Sequence, residues 1–496
     1  MSQPPRTRNG AGSDLSAVLA LVDQLQPAIE QGDRARQNAI VKELVDRRAP
    51  MGGQWQQLAL LALSNAEIGL ARQAMDLMVE TLGNDHAARY HQAALLTLLG
   101  DWQGADRLLQ ALPEDVPEPA SNAYSRGITA LNLGAPDKAR DHLERATRLR
   151  PQSGRAWLAL SMAANFAREP ALADRLIDAE KALRYASPDE QVPYYHALGK
   201  AHAECGEHTR AFEAFAHGAR LAKSTMVYDR EQDSANAAQA VDGYSAERIA
   251  AIAREQREPT SRTIFVTGLP RSGTTLAEQI LTSHSKVSHG AETSYLTLLS
   301  REAGGCSYPS LARHVAARGT GPAARLWDHW LDELFPGSQR VVDKTIDASR
   351  FLGLAAALLP DAPLVWMTRD PLDRAWSCFR TNFSGNAMAW SYDLRDIAGH
   401  FRLEEALLAQ WQDMLGDRLL VVPYEGLVTD PAEWTGRLLA HCGLAPEPQV
   451  LAPHENRRAV ATASMVQVRR PIHSGSVGSA DPYRRFLEPF ITAYYG

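Results

Sequence analysis

A chain of 496 residues has room for two or three domains, and 45% apolar residues is enough to bury a sizeable core. Its 52 Lys and Arg against 58 Asp and Glu give a formal charge of −6, which excludes a global basic field and predicts no nucleic-acid partner. The cysteines at 205, 306, 378 and 442 form neither a CxxC pair nor a zinc-ligand pattern, so a reducing, cytoplasmic setting is the simpler expectation.

Residues 1–13, MSQPPRTRNGAGS, are polar, lack the apolar core of a secretion signal and are expected to form a disordered tail. No later segment reaches the roughly 18 apolar residues that a transmembrane helix needs. Across residues 14–224 alanine and leucine recur at helical spacing with polar breaks between them, and no strand pattern interrupts them. Gly127, Ala130, Ala139, Leu143, Ala146 and Pro151 sit where two antiparallel helices meet through small residues and the second ends before a proline. A related unit starts near Val192 with Tyr195, Gly199, Ala211, Phe215 and Gly218, and weaker ones span Leu58 to Met78, Tyr90 to Leu109 and Trp157 to Leu172. The spacing resembles a tetratricopeptide repeat, with drift that predicts an irregular array or a short insertion. Such stacked helix pairs build a scaffold and leave a concave groove, which suits a peptide or protein acceptor.

Residues 225–261 turn polar, with DREQDSANAA and EQREPTSR, and read as a junction that is helical in part, notably Ser245 to Glu255. The text then changes character. Ile264 to Val266 read as a buried parallel strand and Thr275 to Leu281 as a helix, with Gly268, Pro270 and Gly273 between them. Glycine lets the backbone turn tightly, and the free N–H groups at the helix start favour an anion. Arg271 adds a fork of donors, and Ser272, Thr274 and Thr275 add hydroxyls. The loop lacks the lysine of a nucleoside triphosphate loop, and Gly268 does not begin a GxGxxG fingerprint, so a kinase or a hydride-transfer enzyme is less well supported.

RSGTT after an apolar strand resembles the loop that binds the 5′-phosphosulfate of 3′-phosphoadenosine 5′-phosphosulfate (PAPS) in sulfotransferases, nearest to the tyrosylprotein and bacterial repeat-containing ones. Further apolar runs precede Asp343 and Lys344, Arg369 and Asp370, and Tyr424 and Glu425, with helical text between them. Strands alternating with helices predict a parallel sheet with ligands beyond the strands' carboxyl ends, where Arg271, Lys344 and Arg369 can converge. If a helix starts near Pro371, it returns Ser377 toward an anion held by Arg369. Arg374 and Arg380 add positive charge there, with Asp370 and Asp373 as candidates to neutralise it.

The resemblance makes Arg369 and Ser377 the 3′-phosphate pair and Lys344 the stabiliser of the leaving phosphate. Glu292 lies 21 residues beyond Arg271, across one helix and a loop, and can accept a proton from an acceptor hydroxyl; the family's catalytic glutamate falls on it. His289 is the alternative base, and His284 reads as a helix-terminus residue. Near the end, SMVQVRRPIHSGSVGSADPYRRF resembles the segment that closes over the nucleotide, with Ser464 beside the transferring group and Arg469 as a further cofactor ligand. No metal is expected, because sulfuryl transfer needs none and no HExxH spacing is present.

The sequence therefore predicts a multidomain chain. An N-terminal all-α superhelix of TPR-like repeats precedes residues 262–496, a P-loop-like α/β sulfotransferase domain with a parallel sheet. The expected activity is PAPS-dependent sulfation of a hydroxyl, with a peptide tyrosine as the expected acceptor and adenosine 3′,5′-bisphosphate as co-product. A carbohydrate or small-molecule acceptor, or a noncatalytic adaptor that retains a nucleotide pocket, is the alternative.

Overall fold

The computed structural model describes residues 10–383, 385–456 and 469–496. By compactness the chain divides into residues 1–118 and 119–496. Neither unit contains a helix long and apolar enough to cross a membrane among the described residues.

The first unit is all helix. It begins with Gly10–Glu30, so residues 10–13 of the expected tail are helical, and continues through the hairpins Trp55–Ser64 with Ile68–Thr81 and His86–Leu98 with Trp102–Ala111. These are two of the three weaker repeats of the sequence. Their capping is local and polar: the Asp85 carboxylate accepts from the Ala87 N–H and the Asp101 carboxylate from the Gly104 N–H.

The second unit opens with the clearest repeat, Pro119–Asn132 and Pro136–Leu149, and repeats the arrangement in Pro188–Glu204 and His208–Thr225. A Cβ on Gly127 would lie 2.5 Å from Leu143, and one on Gly199 would lie 2.7 Å from Phe215. Each glycine thus admits the large side chain sixteen residues later, and the same solution serves both hairpins. Between them, Gly154–Ala163 is followed by a 3₁₀ turn, Pro170–Asp178 and Glu180–Leu183, so the partner helix is broken in two. That break explains the drift in spacing.

The polar junction also folds into helices. The expected helix is Ala246–Glu255, capped by Ser245, but Arg230–Val241 is a second helix that polarity concealed. Asp229 caps it, Ala237 and Ala240 are buried, and Arg230 and Asp233 pair with groups of the C-terminal half: Arg230 with Asp396, and Asp233 with Arg350 and His400.

Five parallel strands form the sheet of this unit: β1 (Thr263–Thr267), β2 (Val287–Ala291), β3 (Arg340–Asp343), β4 (Leu364–Thr368) and β5 (Leu419–Pro423), in the order β2-β3-β1-β4-β5. Four of them occupy the expected apolar runs. The segment around His289, expected as a loop, is instead β2, paired with β3 through Gly290 with Val342 and Ala291 with Asp343. Its short, glycine-interrupted text carries little strand signal, and the neighbouring strand supplies the ladder.

Both faces of β1 are covered. Ile264 and Val266 join Ala277, Ile280 and Leu281 of the following helix in one core. Phe265 points the other way onto Trp327, whose indole N–H donates to Thr263 Oγ1 at 2.8 Å. Burial on both sides accounts for the unbroken apolar run. The last repeat helix packs into this half too, with Phe212 stacked on Phe379 and Phe486 and Phe215 edge-on to Trp376.

Candidate active site

Ligands of open parallel sheets bind beyond the strands' carboxyl ends, and here each of the five strands delivers a charged or aromatic side chain at that edge. Arg271 follows β1, Glu292 follows β2, Lys344 follows β3, Arg369 follows β4 and Tyr424 follows β5.

The loop after β1 is built for close approach. Gly268 has φ +133°, and a Cβ there would meet the Met367 carbonyl oxygen at 2.4 Å; Gly273 has φ +97°, and a Cβ there would meet the Tyr424 ring at 2.6 Å. Arg271 adopts φ +68°, a left-handed conformation that costs a non-glycine residue roughly 1–2 kcal/mol. Two contacts hold it there: its carbonyl accepts from Arg369 Nη1 at 3.1 Å, and its Nε donates to Ser377 Oγ at 2.9 Å. Ser377 is therefore returned to the loop by helix Pro371–Phe379, which starts at the expected proline and is capped by Asp370.

Helix Thr274–Thr282 begins directly behind Gly273, with Thr275 on the cavity wall. Ser272 departs from expectation. Its hydroxyl donates to the Leu269 carbonyl at 2.5 Å and is buried, so it closes the loop instead of facing a ligand. The Pro270 carbonyl accepts from the Cys378 thiol at 3.5 Å, and burial pushes that thiol up to about 12.

Positive charge concentrates on this side. Burial, then the neighbouring Arg380 and Arg369, push the Arg271 guanidinium down to about 10. Arg369 lies over the Tyr424 ring at 4.7 Å, and its buried Nε has no hydrogen-bond partner among the described residues. The excess of cationic donors and the two glycine positions that a Cβ would fill fit a phosphorylated nucleotide. A cleft open to solvent lies against Arg271, Gly273, Thr275, Arg369 and Tyr424, with Arg470, Pro471, Ile472, His473 and Ser476 as its far wall.

That far wall belongs to the C-terminal segment expected to cover the nucleotide. It is fastened by Asp373, whose carboxylate accepts from the backbone N–H of Gly478 and Ala480 at 2.7 and 2.8 Å and from the Ser479 hydroxyl at 3.2 Å. Asp373 does offset arginine charge, lying 4.0 Å from Arg369 and supporting the charged form of Arg380, and the backbone of 478–480 also donates to both its oxygens. Arg374 instead lies 3.5 Å from Glu405 and 4.3 Å from the Phe401 ring. Tyr483 stacks on Trp376 at 3.8 Å, and Arg369 Nη2 donates to the Ser476 carbonyl at 2.6 Å.

On the other side of β1 the charges are paired. Lys344 Nζ donates to Glu292 Oε1 at 2.5 Å and lies 3.7 Å from Glu278 Oε2. Burial works to lower the lysine pKa, but Glu278 and Glu292 outweigh it and hold the ammonium above the ordinary lysine range. Next to them, burial raises the Asp343 carboxyl, which accepts from the hydroxyls of Thr293 at 2.6 Å and Thr345 at 2.7 Å. Glu292 pairs with neither Arg271 nor a helix end.

Strand alternation separates the two candidate bases. A Cβ at Gly290 would point at Glu278, so residues 290 and 292 share the Lys344 side, while His289 faces the opposite way and stacks on Phe335 with ring centroids 5.1 Å apart. His289 is thereby not brought to the site. Arg469 is also placed elsewhere: its Nη2 donates to the Asn132 carbonyl at 3.1 Å, and its neighbour Arg470 lines the cavity. Ser464 lies outside the described residues. His284, just beyond the helix end, bonds the Ala445 carbonyl through Nε2 at 2.9 Å.

Sequence reasoning missed Glu278, and it named Tyr424 and Asp373 without the contacts they make here, the ring beneath Arg369 and the fastening of 478–480. Tyr424 carried a usable signal, since it follows an apolar strand just as Arg369 does. Glu278 and Asp373 carried little, because charged residues on short helices ordinarily face water.

Residues 263–448 match the model described as "Sulfotransferase family". The C-terminal half thus carries a sulfotransferase domain. An uncharacterised protein of Aquifex aeolicus (strain VF5) is 28% identical over 298 residues, which is 58% of this chain and 39% of that protein. Among solved structures, the sulfotransferase domain of the Synechococcus PCC 7002 olefin synthase is 17% identical, covers 48% of this chain and 97% of its own, and has a TM-score of 0.34. The sulfotransferase domain of the curacin biosynthetic pathway is 16% identical, with coverages of 46% and 92% and a TM-score of 0.31. A sulfotransferase from Alicyclobacillus acidocaldarius is 16% identical, with coverages of 48% and 95% and a TM-score of 0.27.

Proposed function

We propose that residues 262–496 transfer the sulfuryl group of PAPS to an acceptor hydroxyl, releasing adenosine 3′,5′-bisphosphate. The observation that carries the reading is the Glu292–Lys344 pair, 2.5 Å apart, at the same sheet edge as the arginine-lined cradle. In this reading Arg271 and the N–H groups of the loop and helix start hold the 5′ end, and Arg369 with Ser377 holds the 3′-phosphate. Glu292 takes the proton of the attacking hydroxyl. The acceptor oxygen bonds to sulfur, the bond from sulfur to the phosphate oxygen breaks with its electrons left on that oxygen, and Lys344 stabilises the charge that develops there. Covering of the cradle by residues 470–476 excludes water, which would otherwise compete as acceptor.

For the acceptor, a small or carbohydrate alcohol or phenol is favoured over peptide tyrosine. Support comes from the last repeat hairpin: Phe212 and Phe215 face Phe379, Phe486 and Trp376, so helix His208–Thr225 spends its apolar face as a wall for the catalytic half. The hairpin acts as scaffold, and that face is not free to grip an extended chain.

The test is incubation of the full chain with PAPS labelled on sulfur and separate pools of phenols, saccharides and tyrosine peptides. Labelled product from wild type, lost in Glu292→Ala and Arg369→Ala, is expected. Label in the peptide pool alone would move the acceptor to tyrosine. Tight PAPS binding without any turnover would favour the noncatalytic adaptor, and preference for ATP with no effect of Arg369→Ala would overturn the sulfotransferase reading.

A further inference from the structure

We propose that Glu278 is a positioning residue for the transfer, a resident counter-ion that keeps Lys344 cationic and in place while Glu292 is neutralised. The inference rests on the sulfuryl-transfer reading above and assigns a role to a carboxylate that the mechanism does not otherwise use.

Lys344 is enclosed: its side chain is 3% exposed, and its backbone N–H is tied to the Ala291 carbonyl at 2.8 Å. Two carboxylates share its ammonium, and they differ in setting. Glu292, at 2.5 Å, has a side chain 40% exposed, open to an incoming acceptor. Glu278, at 3.7 Å, is 10% exposed and stands on helix Thr274–Thr282, the same helix whose first turn ends the phosphate loop. Space for it is made by Gly290, where a Cβ would come within 2.3 Å of Glu278 Oε1. The loop helix, β2 and the residue after β3 thus converge on one buried carboxylate.

The chemistry gives that carboxylate a task. As the acceptor oxygen bonds to sulfur, its proton passes to Glu292, and the electron pair of the breaking bond goes to the phosphate oxygen. A neutral Glu292 no longer compensates Lys344. Without Glu278 the lysine would keep only Asp343, a buried carboxyl already held by the Thr293 and Thr345 hydroxyls, and would be poorly compensated at the moment it must face the leaving phosphate, a state that proteins avoid by shedding the proton. With Glu278 in place, the lysine keeps an ionic partner throughout and is free to move its hydrogen bond from Glu292 to the leaving oxygen. Glu278 is too enclosed to serve as the base itself.

The test compares wild type, Glu278→Gln and Glu278→Asp in two readouts: the pH profile of kcat, and the pH dependence of Lys344 carbamylation by cyanate, followed by mass spectrometry without PAPS or acceptor. Glu278→Gln keeps the shape and is expected to lower kcat about tenfold or more. It is also expected to move both the alkaline limb and the labelling midpoint down by about one pH unit, because an attractive charge near the ammonium is gone. Glu278→Asp is expected to restore most of both shifts. A folded Glu278→Gln with neither the limb nor the midpoint moved would overturn the proposal. If wild type shows no PAPS-dependent turnover, the functional reading falls, and the labelling midpoint alone still decides whether Glu278 holds Lys344.

Discussion

On the β2–β3 side of β1, Lys344 has two carboxylates within 4 Å, whereas on the β4–β5 side Arg271, Arg369 and Arg380 crowd one another around a serine and a tyrosine ring. Asp373, the carboxylate nearest to Arg369 at 4.0 Å, has its oxygens engaged by the backbone of 478–480. The paired side is electrically complete before any ligand arrives, and the arginine side is not. In the proposed reaction the arginine side is completed by the nucleotide's phosphates, while the paired side is completed only transiently, as a proton and a leaving group change places. The two sides should therefore fail in different ways: one in turnover, the other in affinity.

The largest effect is expected from Glu292→Gln, which keeps a hydrogen-bond acceptor toward Lys344 but removes the base. It should lower kcat by about 10²- to 10⁴-fold, the usual range for a lost general base. Its Kd for adenosine 3′,5′-bisphosphate, measured by calorimetry, should stay within about twofold, since no new unpaired charge faces the cradle. A large loss of nucleotide affinity in this variant would erase the division between the sides.

Arg369→Ala is the converse. It removes the guanidinium that braces the Arg271 carbonyl, lies over Tyr424 and reaches Ser476. A lost charged hydrogen bond is worth about 1.5–3 kcal/mol, so the Kd should rise about ten- to a hundredfold. The same variant should titrate more weakly with salt than wild type, because one cation fewer meets the phosphates. Unchanged affinity would remove Arg369 from the nucleotide side.

How much of this contrast the sequence disclosed depended on how each group announces itself. Arg271, Lys344 and Arg369 were legible because each lies within four residues of the end of an apolar strand, and the topology of parallel sheets brings such positions to one edge. Ser377 was legible because Pro371 fixed a helix start and the turn did the rest. Glu292 was singled out from its spacing, but its partner was not: β2 is too short and glycine-rich to read as a strand, so its pairing with β3, and hence the approach to Lys344, was hidden. The same omission left His289 as a rival base, which strand parity removes. Ser272 misled because a hydroxyl in a phosphate loop has two outlets, ligand or loop carbonyl, and only coordinates show that it takes Leu269. Asp373 was concealed by distance: its partners lie more than 100 residues away.

Asp373→Ala probes the fastening of the segment that forms the far wall of the cradle. Three donors at 478–480 lose their acceptor, and a buried donor left unsatisfied costs about 1–3 kcal/mol. Limited proteolysis with mass mapping should show faster cleavage within residues 470–487, and the Kd for the nucleotide should rise several-fold. The effect should be smaller than that of Arg369→Ala, because the arginines themselves remain. Equal proteolysis of both proteins would show that the stacking of Tyr483 on Trp376 and of Phe486 on Phe212 holds the segment without Asp373.

The smallest and most discriminating change is Ser377→Ala. Ser377 Oγ accepts from Arg271 Nε at 2.9 Å, so in the free protein the alanine variant loses one anchor of a strained, left-handed arginine. Net, such a bond to a charged group is worth about 1.5–3 kcal/mol when both partners are buried, but the cavity beside Arg271 lets water replace part of it. The Kd for adenosine 3′,5′-bisphosphate should therefore rise only about three- to tenfold. Adenosine 5′-phosphosulfate, which lacks the 3′-phosphate, separates two roles for the serine. If Ser377 touches the 3′-phosphate, the variant weakens the bisphosphate and leaves this second ligand nearly unchanged. If the serine acts only by holding Arg271 over the 5′ end, both ligands weaken alike, and the 3′ side of the cradle then rests on Arg369 without it.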